Sequence, residues 1–326
     1  MDVVRIGVLG SARIARRALI EAARHVPEVT VAAAAARDLP RAQTYALEHG
    51  IAMAYGSYDE LLADPGIDAI YIPLPNSLHG PWTLRAITAG KHVLCEKPFA
   101  SNAAEAALVA EAAATSGLVV MEAMHYRYHP LIQRLRDVVA SLGPVRTMQC
   151  WTSFAIADPD DIRYDYALGG GATMDGGCYA IDCMRMLAGQ PEVSGALADT
   201  EQDGLVDRAL AARLSFGGGA TGWFDSAFTR SGAFRADLHV TCEGGIVHVD
   251  NFILPHDGHL ETTAAEPPEP AAEEGEPSTW TSFVWQLRAF AHAIRAGGPV
   301  ETSAENAVAT MRVIDAAYRA AGLPAR

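Results

Sequence analysis

The chain has 326 residues, half of them apolar, which suffices for about two domains with substantial cores. Its formal net charge of -14, with no run rich in Lys or Arg, excludes nucleic acid or an anionic membrane as the main partner, because such binding replaces counterions with clustered positive charge. No apolar stretch approaches the roughly 20 residues that span a bilayer, and the opening Met-Asp-Val-Val-Arg-Ile leads into a strand without a signal-like core, so a cytoplasmic protein is expected.

From Val3 to about Glu122, short β-branched runs alternate with alanine-rich amphipathic stretches. Residues 3–9, 29–35, 69–72, 92–95 and 119–121 are predicted strands with helices between them, and that alternation implies a parallel, doubly wound sheet. Ser57 three residues before Glu60 reads as a capping box, Pro40 as a first-turn residue, and Gly90 and Gly117 as helix stops. After a helix near 131–140 the pattern changes to long strand-like runs at 145–154, 208–216, 220–227, 236–242 and 245–249, joined by glycine turns. Residues 257–277, rich in Glu, Pro and Ala and without Lys or Arg, are expected to form a solvated loop. Two amphipathic helices, 282–296 and 303–321, follow. The expected architecture is α/β: a dinucleotide-binding Rossmann domain at 1–122, then an α+β domain at 123–326 with a large, open, mostly antiparallel sheet. The last helices have the option of packing back on the first domain.

Gly10-Ser11-Ala12-Arg13-Ile14-Ala15 follows the first strand and opens a helix, where backbone N–H groups and the helix dipole can hold a pyrophosphate. Ala12 stands where a second glycine is usual, and the turn alone is equally readable as a plain strand-to-helix connection. The second strand ends in Ala35-Ala36-Arg37, with Arg41 one turn on. A base at this position accommodates the extra phosphate of NADP, whereas an acid bonds the ribose of NAD. NADP is the expected cofactor, and Asp38 keeps NAD as the alternative.

Gly169-Gly170-Gly171-Ala172-Thr173-Met174-Asp175-Gly176-Gly177-Cys178-Tyr179 opens a helix on which Asp175 and Tyr179, four apart, share a face. Asp175 as an N-cap and Tyr179 as a packing residue is the plain reading of this segment. Five cysteines without paired zinc-type spacing are expected to be reduced thiols, and His125 and His129, four apart, lack a third ligand, so no metal is assigned.

Glu96-Lys97-Pro98, at the end of Lys91-His92-Val93-Leu94-Cys95, together with Pro73-Leu74-Pro75-Asn76-Ser77-Leu78-His79, resembles the Gfo/Idh/MocA oxidoreductases over nearly the whole chain. The resemblance implies that Leu74, Asn76 and His79 line the cofactor groove, that Glu96 contacts the nicotinamide ribose, and that Lys97 sits beside the nicotinamide. The Asp175, Gly176, Tyr179 spacing is similar to the family's tyrosine-type site, as in glucose-fructose oxidoreductase and dimeric dihydrodiol dehydrogenase. Tyr179 is then the proton donor and acceptor. A phenol with a pKa near 10 is a poor base at neutral pH, and Lys97 is expected to lower it while donating to the substrate oxygen. Asp175 is expected to orient substrate or lysine, and Arg127 and Arg163 are candidate substrate contacts or structural ion-pair partners. The implied activity is hydride transfer between NADP and a sugar, ketosugar or cyclic diol, in a homodimer or homotetramer. A dinucleotide-binding regulator and a cofactor-assisted glycoside hydrolase of the same fold are the rivals.

Overall fold

The computed structural model describes residues 3–201, 204–263, 280–324 and 326. The chain divides into two compact units, Met1–His125 with Thr281–Val308, and Tyr126–Trp280 with Ala309–Arg326.

The first unit runs β1 (Val4–Leu9), α1 (Arg13–Ala15), β2 (Val29–Ala35), α2 (Leu39–His49), β3 (Met53–Tyr55), α3 (Tyr58–Ala63), β4 (Ala69–Ile72), α4 (His79–Thr88), β5 (His92–Cys95), α5 (Ala103–Ser116) and β6 (Val120–Glu122). All pairings in its sheet are parallel, in the order β3-β2-β1-β4-β5-β6. This is the doubly wound topology, whose order reverses between β1 and β4, so the ends of those two strands mark the crevice in which such sheets bind ligands. Val4, Ile6, Val8, Ile70 and Ile72 are fully buried, as strands covered on both faces must be. Helix starts follow the residue types: the side chains of Asp38, Ser57 and Asn102 accept from the backbone N–H of Arg41, Glu60 and Glu105. The capping box at Ser57 is half formed, because Glu60 reaches back to the N–H of Gly56 rather than to Ser57. Strand β3 has no sequence prediction, since this edge strand is exposed to half-buried and carries no buried apolar run.

The second unit contains α6 (Pro130–Ser141), β7 (Val145–Ala155), α7 (Cys178–Ala188), β8 (Glu192–Thr200), β9 (Asp207–Ser215), β10 (Thr221–Thr229), β11 (Arg235–Cys242), β12 (Gly245–Asp250) and β13 (His259–Thr262). Its seven-stranded sheet has the order β13-β12-β11-β7-β10-β9-β8, antiparallel except where β10 pairs parallel with β7. Alternation along β11 buries Ala236, Leu238, Val240 and Cys242 on the helix-covered face. The other face carries Trp151 and Trp223, whose rings meet edge-on at 4.8 Å, and the cross-strand pair His239 and His248 at 4.2 Å.

Helix α8 (Ser282–Ala296) groups with the first unit, and α9 (Ala304–Ala320) begins there and continues in the second. Besides β3, two strands escape the sequence reading. Edge strand β8 exposes Leu197 and lacks a clean alternation of apolar residues, and β13 falls inside the expected acidic loop. The loop expectation is therefore corrected at 259–262, where pairing with β12 supplies order that composition does not reveal. Residues 264–277 of that segment lie outside the described residues. Among the described residues, no helix is long and apolar enough to cross a membrane, no group of three or more His, Cys, Asp or Glu is arranged to hold a metal, and all five cysteines are buried free thiols.

Candidate active site

In the first unit the chain leaves β1 through Gly10, whose φ of +89° is a conformation that side chains other than glycine rarely adopt. A Cβ there would lie 3.0 Å from Leu74 Cδ2 and 3.5 Å from the Tyr58 hydroxyl, so Gly10 also lets the β1 and β4 loops approach closely. Ala12, extended in backbone, precedes α1 and makes no side-chain cap hydrogen bond to it. The helix passes into a π-helical stretch, Arg16–Glu21. These features fit a dinucleotide pyrophosphate, which backbone N–H groups at a helix start can hold.

Asp38 caps α2 through Oδ1, which accepts the Arg41 N–H at 2.9 Å, while Arg37 and Arg41 remain at the surface. Arg41 Nε donates to Ser11 Oγ at 2.7 Å, tying the first turn of α2 to the glycine turn. Burial raises the Tyr58 pKa, against the charges of Arg37 and Arg41, which favour its phenolate. Tyr58 was not singled out in the sequence, where it reads only as the first residue of α3.

The Glu-Lys-Pro segment follows β5. Glu96 is buried and accepts the Tyr71 hydroxyl at 2.6 Å. Burial pushes its carboxyl above the usual carboxylate range, against Tyr71, Lys97 and Arg17, which favour the charged form. Lys97 is half-buried, the Lys97–Pro98 peptide is cis, and the N–H of Phe99 donates to buried Glu122 at 2.9 Å. Leu74 and Asn76 are half-buried on the loop after β4. His79 is placed differently from its expected position on the groove wall. Its ring is buried, with Nδ1 2.6 Å from the Pro98 carbonyl and Nε2 2.7 Å from that of Leu74, so it fastens the two loops together. Burial and the Lys97 charge push its pKa down to about 4. The neutral ring carries a single N–H and satisfies one of these carbonyls at a time.

In the second unit a π-helical turn, Thr173–Gly177, runs straight into α7. Asp175 lies inside this helical run rather than at an N-cap, and its Oδ2 accepts Arg163 Nε at 2.7 Å. Tyr179 is 4 % exposed and packs edge-on against Tyr126, ring centres 5.9 Å apart. Tyr126 donates to Asp182 at 2.6 Å, and the same carboxylate takes Arg127 at 3.2 Å and Arg185 at 3.7 Å. Arg127, a candidate substrate contact from the sequence, is thus buried in the ion pair beneath Tyr179. Asp182 was missed, although an acid three residues after Tyr179 on a helix with a wide apolar face was the available signal. Burial and Asp182 hold the Tyr126 phenol well above its ordinary pKa, so it stays a donor.

Two family profiles match the chain: an oxidoreductase family with an NAD-binding Rossmann fold over residues 4–124, and the GFO/IDH/MocA C-terminal domain over 132–248. The chain is 38% identical to D-xylose 1-dehydrogenase (NADP(+)) 2 of Haloferax volcanii over 317 residues, 97% of this chain and 96% of the relative. It is 34% identical to a dTDP-3,4-didehydro-2,6-dideoxy-alpha-D-glucose 3-reductase of Streptomyces violaceoruber over 331 residues, 98% of this chain and 96% of that protein. Among solved structures, the aldose-aldose oxidoreductase of Caulobacter crescentus, complexed with glycerol, superposes with a TM-score of 0.87 at 29% identity, covering 98% of each chain. The glycine turn at the β1–β4 switch point and the Glu-Lys-Pro segment after β5 are accordingly those of a family member, and the chain belongs to the GFO/IDH/MocA oxidoreductases.

Proposed function

We propose that the chain catalyses NADP-dependent oxidation or reduction at a carbinol or carbonyl carbon of a sugar, ketosugar or related cyclic diol. The observation that carries the cofactor choice is the pair of surface guanidiniums, Arg37 after β2 and Arg41 in the first turn of α2, beside an Asp38 that uses one carboxylate oxygen for the α2 cap. An acid bonding the ribose diol would favour NAD, whereas the two guanidiniums beside it favour a phosphate. Full-length similarity to an NADP-dependent xylose dehydrogenase and to a ketosugar reductase supports both the cofactor and the substrate class.

When bound, the nicotinamide supplies or accepts the hydride. Tyr179 moves the proton at the substrate oxygen. Lys97, as a cation, favours the phenolate and donates to that oxygen. Glu96, fixed by Tyr71, contacts the nicotinamide ribose, with Gly10 to Ile14, Leu74 and Asn76 lining the dinucleotide. Asp175, held by Arg163, orients the substrate or Lys97. A cytoplasmic homodimer or homotetramer associates through the sheet face that carries Trp151 and Trp223, which a Trp223→Glu substitution followed by light scattering tests.

A panel of aldoses, ketosugars, dicarbonyls and dihydrodiols, each assayed by nicotinamide absorbance with both cofactors, tests the reading. Turnover of a sugar or diol with NADP is the expected outcome. Sugar release without an absorbance change points to a hydrolase, and cofactor binding without turnover of any compound points to a regulator.

A further inference from the structure

Asp207, the first residue of β9, is fully buried. Its Oδ2 accepts the backbone N–H of Thr173 at 2.7 Å, and its Oδ1 accepts the Tyr318 hydroxyl at 2.8 Å and Arg326 Nη2 at 2.9 Å. The Arg326 side chain is 1 % exposed. Its guanidinium carbon lies 4.6 Å from the ring centre of Tyr318 and 4.9 Å from that of Tyr166, and Nη1 donates to the Leu205 carbonyl at 2.9 Å. A buried guanidinium packed between two aromatic rings is fixed in position by sterics as well as charge.

This cluster bears on the helix of Asp175 and Tyr179. Thr173 starts that helical run, two residues before Asp175 and six before Tyr179. The preceding turn is drawn tightly onto the same carboxylate: Gly171 has φ +137°, and a Cβ there would collide with Asp207 Oδ1 and lie 2.8 Å from the Tyr318 hydroxyl. The turn is also fastened to the Arg163 loop, with Gly171 N–H on the Arg163 carbonyl at 2.9 Å and Gly170 N–H on that of Asp165 at 2.8 Å. Tyr166, which flanks Arg326, belongs to that loop. Arg326 therefore touches both supports of the turn, the carboxylate beneath it and the loop beside it. Removing Arg326 strands a buried carboxylate, which must then shift, admit water or take up a proton.

We propose that Arg326 is a positioning residue, which through Asp207 and the Tyr166 loop fixes the start of the helical run and thereby the placement of Asp175 and Tyr179. The proposal rests on the assignment of Tyr179 to proton transfer.

The experiment compares full-length wild type with Arg326→Ala and Arg326→Lys by amide hydrogen exchange, NADPH titration and steady-state kinetics. In Arg326→Ala, exchange at 171–175 is expected to accelerate at least about tenfold, while β1 and β4 amides and NADPH affinity stay unchanged. Turnover should fall by about 10²-fold, the loss associated with a displacement of about 1 Å near a reacting group. The KM for cofactor should not move, and Arg326→Lys or added guanidinium ion should restore part of the turnover. Should Arg326→Ala not accumulate in folded form, the pair Arg326→Met with Asp207→Asn, which removes both charges together, takes its place under the same criteria. Turnover at the wild-type rate in folded protein, with or without faster exchange at Thr173, overturns the positioning role. Wild-type turnover by Tyr179→Phe instead overturns the assignment on which the proposal rests, so the two failures are told apart.

Discussion

Arg163 bridges two carboxylates, donating Nε to Asp175 at 2.7 Å and Nη1 to Asp161 at 3.1 Å. Asp175 raises the guanidinium pKa, and in return the half-buried carboxylate gains a fixed cationic partner. A planar fork can span both acids, whereas an ammonium offers a single point of charge. Arg163→Lys is therefore expected to behave like Arg163→Ala, both losing about 10- to 100-fold in kcat/KM by releasing Asp175, a loss of about 1.4–2.7 kcal/mol. Steady-state kinetics of the two variants checks this, and a fully active Arg163→Lys would show that charge alone suffices.

Arg37→Ala is expected to weaken NADPH by roughly 1.5–3 kcal/mol, the usual strength of a charge-assisted hydrogen bond, and to leave NADH nearly unchanged. Fluorescence titration of both cofactors against wild type and variant measures the difference. Equal affinities in the wild type, or equal losses in the variant, would remove the 2′-phosphate from this site.

Tyr179→Phe should keep the fold and cofactor binding while turnover falls by about 10²–10⁴, the contribution of a positioned acid or base. Lys97→Ala should be comparably impaired. If the two groups act as a unit, the double variant loses far less than the product of the single losses. Near-wild-type turnover by Tyr179→Phe across the pH range would leave packing against Tyr126 as the role of this residue.

His129 provides a test by stability. Its Nδ1 accepts the Leu131 N–H at 3.2 Å, capping α6, and burial together with His256 pushes its pKa down to about 4. The ring must be neutral to cap. Below the unfolded value near 6.5 the unfolded chain binds the proton first, so stability falls as pH drops from 6.5 towards 4, by on the order of 3 kcal/mol from this residue. Above 6.5 this contribution is constant. Urea denaturation of wild type and His129→Asn, which caps without titrating, should show a shallower acid slope in the variant. Parallel slopes would refute the assignment.

The sequence by itself determined the layered plan, and it carries the residues proposed for the cofactor end of the site. Strands buried on both faces leave continuous apolar runs, helix caps and stops are local, and the glycine turn, Arg37 and the Glu-Lys-Pro segment are each legible within a few residues. Where the information is not local, the sequence was silent. Strands β8 and β13 owe their order to neighbours in the sheet, and the commitment of Asp38 to a cap became visible only with its partner. The part played by a charged residue was decided entirely by the fold, since Arg127, Arg163 and Arg326 have the same side chain and find their acids at Asp182, Asp175 and Asp207. Pairing over such sequence separations is set by which elements pack together, and packing is a property of the folded chain, not of any window within it.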